Sequence, residues 1–504
     1  MRFIFRKNMK ENDKDIYGHI LKYTSLFGGV HGLNILITIV RTKIVTWLLG
    51  PGGMGLSSLF QTTANFISQA TNLGISFSAV RNVSELFDSG DEARIAHFIK
   101  VVRAWSLLTG LIGTLLCMLI GPILSQLTFT WGDHTLHFVV LAPLVGMLAV
   151  TGGETAILKG ARQLRSLAAI QMYNVIAALL ISVPVYYFFG ESGIVPVMLL
   201  TGLFAMILTI QKSHKLYPLR FSGIHGILGE GMGMVKLGVA FTLAGIFGSG
   251  ADFIIRAYLN NVSSLDEVGH YNVGYMMTMT YAGMIFSAME TDYFPRLSAV
   301  NNDRFKCMDL ISKQAEVSLL LISPIIVAAI FLLPVALPLL TSSKFLPVVD
   351  MMRIMSLALY LRAVNLSLEY LSLAKGASLS YLFLEGVYDV FVVVLTIVCY
   401  QFYGLTGAGA ALLAAGVFNT LLVMGYIGLK FGVHIRKAIF LLLLLQMGIG
   451  VAAFFATQWL SGFGYWLAGI GLFGISLWIS VNILRRKTHL WDKIKAKINK
   501  ILGK

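Results

Sequence analysis

A chain of 504 residues that is 57% hydrophobic and only 12% charged, with a net charge of +15, lies outside the composition range of soluble globular proteins. Apolar stretches long enough to cross the hydrocarbon core recur along nearly the whole sequence, and the gaps between them are too short for a soluble domain. The composition predicts an all-α polytopic membrane protein. It excludes nucleic acid as a partner, because a nucleic-acid-binding protein would need a basic soluble module.

The hydropathy pattern predicts about fourteen membrane-spanning helices. They cover residues 24–49, 55–80, 101–124, 136–156, 168–189, 193–211, 236–259, 269–290, 315–340, 348–372, 379–401, 405–429, 438–457 and 463–484. The segment before the first span has no apolar core or cleavage site, so it is not expected to be a removed signal peptide. Lys and Arg outside the spans lie in alternate connections, with Lys344 alone on the other side, which predicts that both termini are cytoplasmic.

The two halves of the chain match at a spacing of about 215 residues, which indicates an internal duplication. The matching landmarks, in order, are Arg41 with Arg256, Arg81 with Arg296, Lys159-Gly160-Ala161 with Lys375-Gly376-Ala377, Tyr173-Asn174-Val175 with Tyr388-Asp389-Val390, and Phe189-Gly190 with Tyr403-Gly404. Because each repeat holds an even number of spans, both copies enter the membrane from the same side. The duplication therefore predicts two parallel six-helix bundles around a central cavity, plus two extra C-terminal helices.

This duplication divides the chain into six predicted regions. They are a cytoplasmic N-terminal segment (1–22), an N-lobe of six spans (23–212), a cytoplasmic linker (213–235), a C-lobe of six spans (236–430), two additional spans (431–484) and a basic amphipathic cytoplasmic tail (485–504). The apolar face of the tail suits the inner leaflet and its anionic lipids. Docking of a partner protein is the alternative use of the tail.

Polar side chains form stripes along several spans. The first span carries His31, Asn34, Thr38 and Arg41 on one helical face. The second carries Gln61, Asn65, Ser68, Gln69, Asn72 and Ser76, and the seventh carries Thr242, Ser249, Asp252, Arg256 and Asn260. Polar groups at membrane depth normally face a cavity or a partner. The candidate substrate-binding residues are therefore Arg41, Arg256, His31, Asn34, Thr38, Gln61, Asn65 and Asn72.

Arg41 lies nine residues before Gly50, roughly 13 Å below the outer end of its helix, which is too deep for an interfacial anchor. An arginine in such a place is well suited to phosphate, because its fork of donors grips two oxygens and keeps its charge. The alternative is an arginine satisfied by a neighbouring carboxylate or by helix-end carbonyls. The stripe of Arg41 contains no acid, which favours a cavity role, whereas Asp252 lies one turn before Arg256 and leaves both alternatives open there.

Acidic residues within the spans are candidates for coupling transport to H⁺ or Na⁺. They are Asp252, Glu290, Glu369, Glu385 and Asp389. Glu385 and Asp389 lie one turn apart, and two bare carboxylates would repel each other, so the pair is expected to share a proton or a cation. The alternative for Glu385 is a solvated position near the cytoplasmic interface.

The sequence contains no Walker loop, no metal-ligand cluster and no nucleophile with a paired His and acid. We therefore expect a membrane transporter that uses no cofactor or metal, rather than an enzyme. Near the ends of spans, Glu154 with Lys159 and Asp350 with Arg353 are expected to form local ion pairs.

The segment from Arg41 to Gly55, which reads RTKIVTWLLGPGGMG, resembles the Wzx-type polysaccharide flippases of the multidrug/oligosaccharidyl-lipid/polysaccharide exporter superfamily. Further blocks resemble this family in the same order: LDEVG at 265–269, FPRLS at 294–298, SKF at 343–345 and AKGA at 374–377. The resemblance runs from about residue 24 to 430 and is nearest to the enterobacterial common antigen lipid flippase branch, although the last two spans are additional. Related peptidoglycan lipid flippases carry a cavity arginine in the pattern Arg-x-x-Ile-Val, which Arg41 matches.

The resemblance implies two bundles in a V that move an undecaprenyl-diphosphate-linked oligosaccharide across a bacterial inner membrane by alternating access. In this mechanism the diphosphate would bind Arg41, with Arg256 as a candidate second ligand, the sugars would occupy the polar stripes, and the lipid tail would remain in the bilayer through a gap between the lobes. Polysaccharide assembly proteins, in O-antigen or lipopolysaccharide biosynthesis, would be further partners. Anion binding is expected mainly in the first half and ion coupling in the second.

Three alternatives remain open from the sequence. A multidrug exporter of the same superfamily would move organic cations and would need a carboxylate-lined cavity. A membrane glycosyltransferase or polysaccharide polymerase would need a long outer loop for catalysis. A non-transporting scaffold would not explain why polar side chains form stripes along the membrane spans.

Overall fold

The computed structural model describes the backbone of residues 2–129, 132–218 and 227–487. Within these ranges, side chains are described except at residues 2–32, 35, 88–89, 164, 227, 236–237, 240, 284–285 and 287–292. The described chain is helical almost throughout and contains no strand, which confirms the predicted all-α class. Short 3₁₀ helices cover Gly190–Gly193 and Ser343–Val348, and a π-helix covers Met276–Thr280.

The α-helices of the described residues are numbered in chain order. They are α1 (Arg2–Thr71), α2 (Ile75–Ser89), α3 (Glu92–Leu119), α4 (Gly121–Thr128), α5 (Thr135–Gly160), α6 (Leu164–Phe189), α7 (Ile194–Leu216), α8 (Ile227–Glu230), α9 (Met232–Val262), α10 (Leu265–Tyr275), α11 (Tyr281–Ala299), α12 (Arg304–Leu340), α13 (Val349–Ala374), α14 (Ser378–Phe431), α15 (Lys437–Trp459) and α16 (Gly462–Lys487).

Glycines divide the longest helical segments into the predicted pairs of spans. Among the described residues, seven segments are long and apolar enough to cross a membrane, and two of them, 165–216 and 378–431, have the length of two crossings each. Gly190 (φ 54°, ψ −132°) breaks the first of these and Gly404 (φ 56°, ψ −140°) the second. The positive φ favours glycine, and the same backbone conformation at these two matched positions supports the duplication. Gly50 bends α1 in a similar way, with φ 65°.

Several helices extend beyond the predicted spans because charged residues outside the apolar core also adopt helical backbone. α1 begins at Arg2, so the predicted cytoplasmic segment 1–22 continues directly into the first span. α3 begins at Glu92, before the predicted third span, because the side chain of Asp91 accepts a hydrogen bond from the Arg94 backbone N–H at 3.0 Å and caps the helix. The count of fourteen spans is therefore approximate.

The turn between α5 and α6 recurs between α13 and α14. The Arg162 N–H donates to the Lys159 carbonyl, and the Gly376 N–H donates to the Leu373 carbonyl, both at 3.0 Å. Arg162 and Gly376 also share a positive φ, of 56° and 68°. In backbone conformation Arg162 is therefore the equivalent of Gly376, whereas the sequence match had aligned Gly160 with Gly376.

The two halves touch closely at both ends of the second span. Gly55 of α1 lies so near α10 that a Cβ there would overlap the Leu265 carbonyl oxygen. Gly74, just before α2, lies against α9, and a Cβ there would overlap the Gly238 carbonyl. These two contacts leave room for a cavity between them.

The two extra C-terminal helices pack on α12 of the C-lobe. Tyr465 of α16 donates a hydrogen bond to the Phe331 carbonyl at 2.6 Å, and Lys487 pairs with Glu316 at 2.5 Å. The amphipathic face predicted for the tail lies in residues 488–504, outside the described residues.

Candidate functional site

A polar cavity of about 520 Å³, here called the central cavity, lies between the two halves. Helices α1, α6 and α7 form one side, and α9, α10 and the π-helix form the other. Its polar lining consists of Arg41, Thr42, Ser57, Ser58, Gln61, Thr62, Asn65, Tyr186, Thr201, Asp252, Arg256, Asn272, Tyr275 and Thr280. Polar stripes from both halves therefore face one common space.

Several predicted site residues meet in the central cavity. These are Arg41, Gln61, Asn65, Asp252 and Arg256. Gln61 and Asn65 are exposed to the cavity, and the Gln61 side-chain amide donates to Asn65 Oδ1 at 3.0 Å. Such exposed amides can exchange this mutual bond for bonds to the hydroxyl groups of a ligand.

Other predicted residues lie outside the cavity lining. Asn34 is buried, with a relative exposure of 7%, and Thr38 donates to its carbonyl oxygen at 2.7 Å. Asn72 is partly buried and donates to Ser76 Oγ at 2.9 Å. Both stripes thus extend past the cavity. There Asn72 bonds a side chain of α2, whereas the buried Oδ1 of Asn34 accepts no hydrogen bond from a described residue. The side chain of His31 lies outside the described residues.

Arg41 faces the central cavity from α1 with much of its hydrogen-bonding capacity unused. Its Nε donates to Ser182 Oγ of α6 at 3.0 Å, which fixes the orientation of the guanidinium group. Among the described residues, no carboxylate lies within ion-pair distance of Arg41, and its two Nη groups make no hydrogen bond. The sequence prediction that no acid accompanies this arginine agrees with that arrangement.

Arg256 faces the same cavity, but most of its donors are already bonded. Its Nη1 bonds Asp252 Oδ1 at 2.7 Å, so the ion pair that the sequence left open is present. Its Nε donates to Ser58 Oγ at 2.8 Å, and Nη2 donates to Asn272 Oδ1 at 3.3 Å. The ring of Tyr275 lies 5.7 Å from Cζ, within cation–π distance.

The charges in the central cavity do not cancel. The charged residues among its described lining are Arg41, Asp252 and Arg256. Asp252 neutralises Arg256, and the charge of Arg41 remains. At this depth such a charge is costly unless a partner or water compensates it, so the cavity is suited to an anionic ligand.

A second polar cavity of about 200 Å³, here called the C-lobe cavity, lies within the second half. Its polar lining consists of Tyr275, Arg362, Asn365, Glu369, Glu385, Tyr388 and Asn419. Asn419 Nδ2 donates to Glu369 Oε1 at 2.8 Å, and Asn365 Oδ1 accepts no hydrogen bond from a described residue. Because Tyr275 lines both cavities, the two lie on either side of this residue.

The acidic candidates are distributed over different surroundings. Glu369 and Glu385 line the C-lobe cavity, whereas Asp389 lines an apolar groove between α9 and α14. Asp389 Oδ2 is buried and has no hydrogen-bond partner among the described residues. The side chain of Glu290 lies outside the described residues. Within the described part, no cluster of three His, Cys, Asp or Glu side chains is suited to a metal ion.

The local pair predicted between Glu154 and Lys159 is wrong. Arg103 of α3 bonds Glu154 at 2.8 Å, with both side chains buried, and His214 of α7 lies 3.3 Å from the same carboxylate. Lys159 is exposed, at the end of α5, so its ammonium group stays in solvent. Arg103 is the stronger partner because two of its nitrogens reach the two carboxylate oxygens.

The sequence prediction missed part of both cavities. Asn272 and Tyr275 in the central cavity, and Asn365 and Asn419 in the C-lobe cavity, were not among the candidates. The available signal was weak, since each is an isolated polar residue in an apolar span. The spacing of Asn272 and Tyr275 by three residues on one helical face was the strongest part of it.

Comparisons with solved structures identify the fold. An inward-facing multidrug resistance MATE family transporter of the MOP superfamily superposes with a TM-score of 0.65 at 15% identity, covering 79% of this chain and 94% of that one. The lipid II flippase MurJ, in an inward closed conformation, gives 0.68 at 13% identity, covering 91% and 99%. A MOP superfamily transporter from Pyrococcus furiosus, described as having a binding pocket of reverse polarity, gives 0.60 at 14%, covering 83% and 96%. The chain therefore has the two-bundle MOP fold of a multi-pass membrane protein.

Sequence comparison identifies the family. No curated protein sequence matches the chain significantly. A family profile described as "Polysaccharide biosynthesis protein" matches residues 44–350, which is more than half of the chain. That range includes the lining of the central cavity from Val45 to Thr280, and Arg41 and Thr42 lie just before it. The chain belongs to the polysaccharide biosynthesis protein family.

Proposed function

We propose that this protein is a flippase that moves undecaprenyl-diphosphate-linked oligosaccharide units from the cytoplasmic to the outer leaflet of a bacterial inner membrane. The observation that carries the proposal is the unpaired guanidinium group of Arg41 in the central cavity. Membership of a polysaccharide biosynthesis family and the fold shared with a lipid II flippase support the substrate class. Within the family, we assign the protein to the enterobacterial common antigen lipid flippase branch.

The diphosphate is the part of the substrate that the cavity charge favours. A guanidinium fork binds two phosphate oxygens in parallel, and a water-poor cavity strengthens that attraction. Arg41 supplies the free fork, whereas Arg256 holds its donors on Asp252, Ser58 and Asn272. Arg41 is therefore the primary phosphate ligand, and Arg256 contributes only if Asp252 moves away.

The oligosaccharide fits the remaining lining of the central cavity. Gln61 and Asn65 present exposed amide groups, and Thr201 and Tyr275 add hydroxyl groups on other helices. Amides and hydroxyls both donate and accept hydrogen bonds, as sugar hydroxyls require. This distribution over both halves allows the sugars to bind in states that differ in the angle between the lobes.

The C-lobe cavity is the proposed site of coupling to H⁺ or Na⁺. Glu369 and Glu385 face it together with Asn365, whose side-chain oxygen is free for a cation or a protonated carboxyl group. Asp389 lies one turn from Glu385 and also needs a proton or a cation, because an unpaired carboxylate at membrane depth is costly. Asp252 and Glu290 remain candidates for coupling. In this proposal the first half binds the anion and the second half couples transport to H⁺ or Na⁺.

A multidrug exporter of the same superfamily is the principal alternative, since MATE transporters share the fold. Such a protein would present uncompensated carboxylates to an organic cation. The central cavity carries the opposite charge, which disfavours this alternative. A polysaccharide polymerase is disfavoured by the short connections at Gly190–Gly193 and Ser343–Val348, on the side predicted to be outer.

The proposal includes cytoplasmic termini, anionic lipids bound at the basic tail, and polysaccharide assembly proteins as partners. In reconstituted liposomes, the wild-type protein should move a fluorescent polyprenyl-diphosphate sugar between leaflets. Arg41→Ala should abolish most of this movement at equal protein levels, whereas Arg94→Ala, an exposed arginine on α3, should not. Flip rates of the wild type equal to those of protein-free vesicles under every ion gradient would overturn the proposal.

A further inference from the structure

An apolar groove of about 300 Å³ runs between α9 and α14, beside the central cavity. This α9–α14 groove is lined mainly by apolar side chains, among them Phe66, Ile246, Phe247, Ile254, Val390 and Val394, and Asp389 also lines it. Ile254 is 46% exposed and Val394 is 52% exposed, so both walls are open to the hydrocarbon core of the membrane. The groove is a concave apolar surface that a flexible hydrocarbon chain can fill.

Helices α1 and α9 line both the groove and the central cavity. On α1, Asn65 lines the cavity and its neighbour Phe66 lines the groove. On α9, Asp252 lines the cavity and Ile254 lines the groove. The contact between α1 and α9 is therefore the wall that separates a polar, positively charged space from an apolar, membrane-facing one.

Two aromatic rings form that wall. Phe66 of α1 and Phe253 of α9 stack with centroids 5.7 Å apart and an interplanar angle of 5°. Next to them, Gly250 leaves room for the Phe66 ring, which would lie 3.3 Å from a Cβ at that position. At this point the wall therefore consists of side-chain rings, of which Phe66 is only partly buried.

We propose that the α9–α14 groove holds the isoprenoid tail of the substrate while its diphosphate binds in the central cavity. The inference rests on the proposed function, since it concerns the same lipid-linked substrate. An amphiphile whose anionic head is joined directly to an apolar chain needs a polar site and an apolar site that are contiguous. The two sites meet at the stack of Phe66 and Phe253, which the tail crosses. A membrane phospholipid also joins a phosphate to apolar chains, so the crosslinking experiment below distinguishes it from the isoprenoid tail.

The test compares two probes and two tryptophan variants of the full-length protein. The probes are a polyprenyl-diphosphate sugar with a long tail and a water-soluble analogue with a two-isoprene tail. Val394→Trp fills the groove, and Val417→Trp, at a 42% exposed position on the second half of α14, is the matched control. We expect Val394→Trp to weaken binding of the long-tail probe about tenfold and to leave the short-tail probe unchanged. Val417→Trp should change neither affinity.

The possible outcomes separate the inference from the proposed function. Equal affinities of both variants for the long-tail probe would overturn the groove assignment, although wild-type binding would still support a flippase. Failure of the wild type to bind either probe would instead overturn the proposed function. A photoreactive amino acid at Val394 should crosslink to the long-tail probe. Crosslinking only to bulk phospholipid, unchanged by excess probe, would assign the groove to membrane lipid and overturn the inference.

Discussion

Arg256 of the second half donates a hydrogen bond from Nε to Ser58 Oγ of the first half at 2.8 Å. Both residues are buried, with relative exposures of 4% and 5% for Arg256 and Ser58. This bond joins α9 to α1 across the central cavity and uses a charged donor, which makes it stronger than a bond between neutral groups. The arginine that duplication placed in the second half therefore holds the lobes together, whereas Arg41 is left for a ligand.

Ser58→Ala should weaken the state in which the lobes are joined. The substitution leaves a buried guanidinium N–H without its acceptor, at a cost of about 1.5–3 kcal/mol. Spin labels at the exposed residues Arg94 and Arg304, on α3 and α12, should report a shift toward longer distances between the lobes. Ser57→Ala is the control, because Ser57 lines the same cavity and is not among the described hydrogen-bond partners of Arg256. Identical distance distributions for the two variants would show that the bond does not bias the lobes.

Asp252→Asn should tighten the binding of an anionic substrate. The change removes the charge that neutralises Arg256 and so raises the net positive charge of the central cavity. We expect the Kd of a short-tail polyprenyl diphosphate, measured by isothermal titration calorimetry, to fall about tenfold. Asp350→Asn is the matched control, because Asp350 forms the predicted pair with Arg353 at 3.0 Å away from the cavity. Weaker binding by Asp252→Asn would mean that the carboxylate itself contacts the substrate.

The sequence predicted the architecture well because helix length and polarity are local properties. The hydropathy pattern located the crossings, and the breaks between two pairs of spans lie at Gly190 and Gly404, which the sequence match had aligned. The boundaries of α1 and α3 were misplaced because a helix continues past the membrane surface wherever its backbone is capped. The cap of Asp91 is the example, and hydropathy does not detect it.

The candidate site was predictable only where its contacts follow helical periodicity. Asp252 and Arg256 lie at i and i+4, so their pairing was one of two stated alternatives. The bonds of Arg256 to Ser58, and of Arg41 to Ser182, join helices far apart in sequence. The spacing of polar residues within one span cannot predict these hydrogen bonds, because they depend on how one helix packs against another.

Glu154→Gln should destabilise the N-lobe strongly. Arg103 and Glu154 are 9% and 5% exposed at their side chains, so removing the carboxylate charge leaves a buried arginine without its counterion. The expected cost is about 3–5 kcal/mol, which should appear as a lower Tm of the purified protein in detergent. Glu85→Gln breaks the Arg81–Glu85 pair, whose side chains are 61% and 60% exposed, and should cost less than about 1 kcal/mol. A similar Tm for both variants would contradict the structural role of Glu154.

Gly55→Ala should open the end of the central cavity at which α1 meets α10. A methyl group at this position overlaps the Leu265 carbonyl oxygen, which belongs to backbone and has little freedom to move, so the lobes must separate there. A cysteine at Gln61 in the cavity, in a background without the natural cysteines, should then react faster with an impermeant maleimide added outside intact cells. Gly425→Ala is the control, because no atom lies within 4 Å of the new methyl group. If both variants label at the wild-type rate, the contact between Gly55 and α10 does not limit access to the cavity.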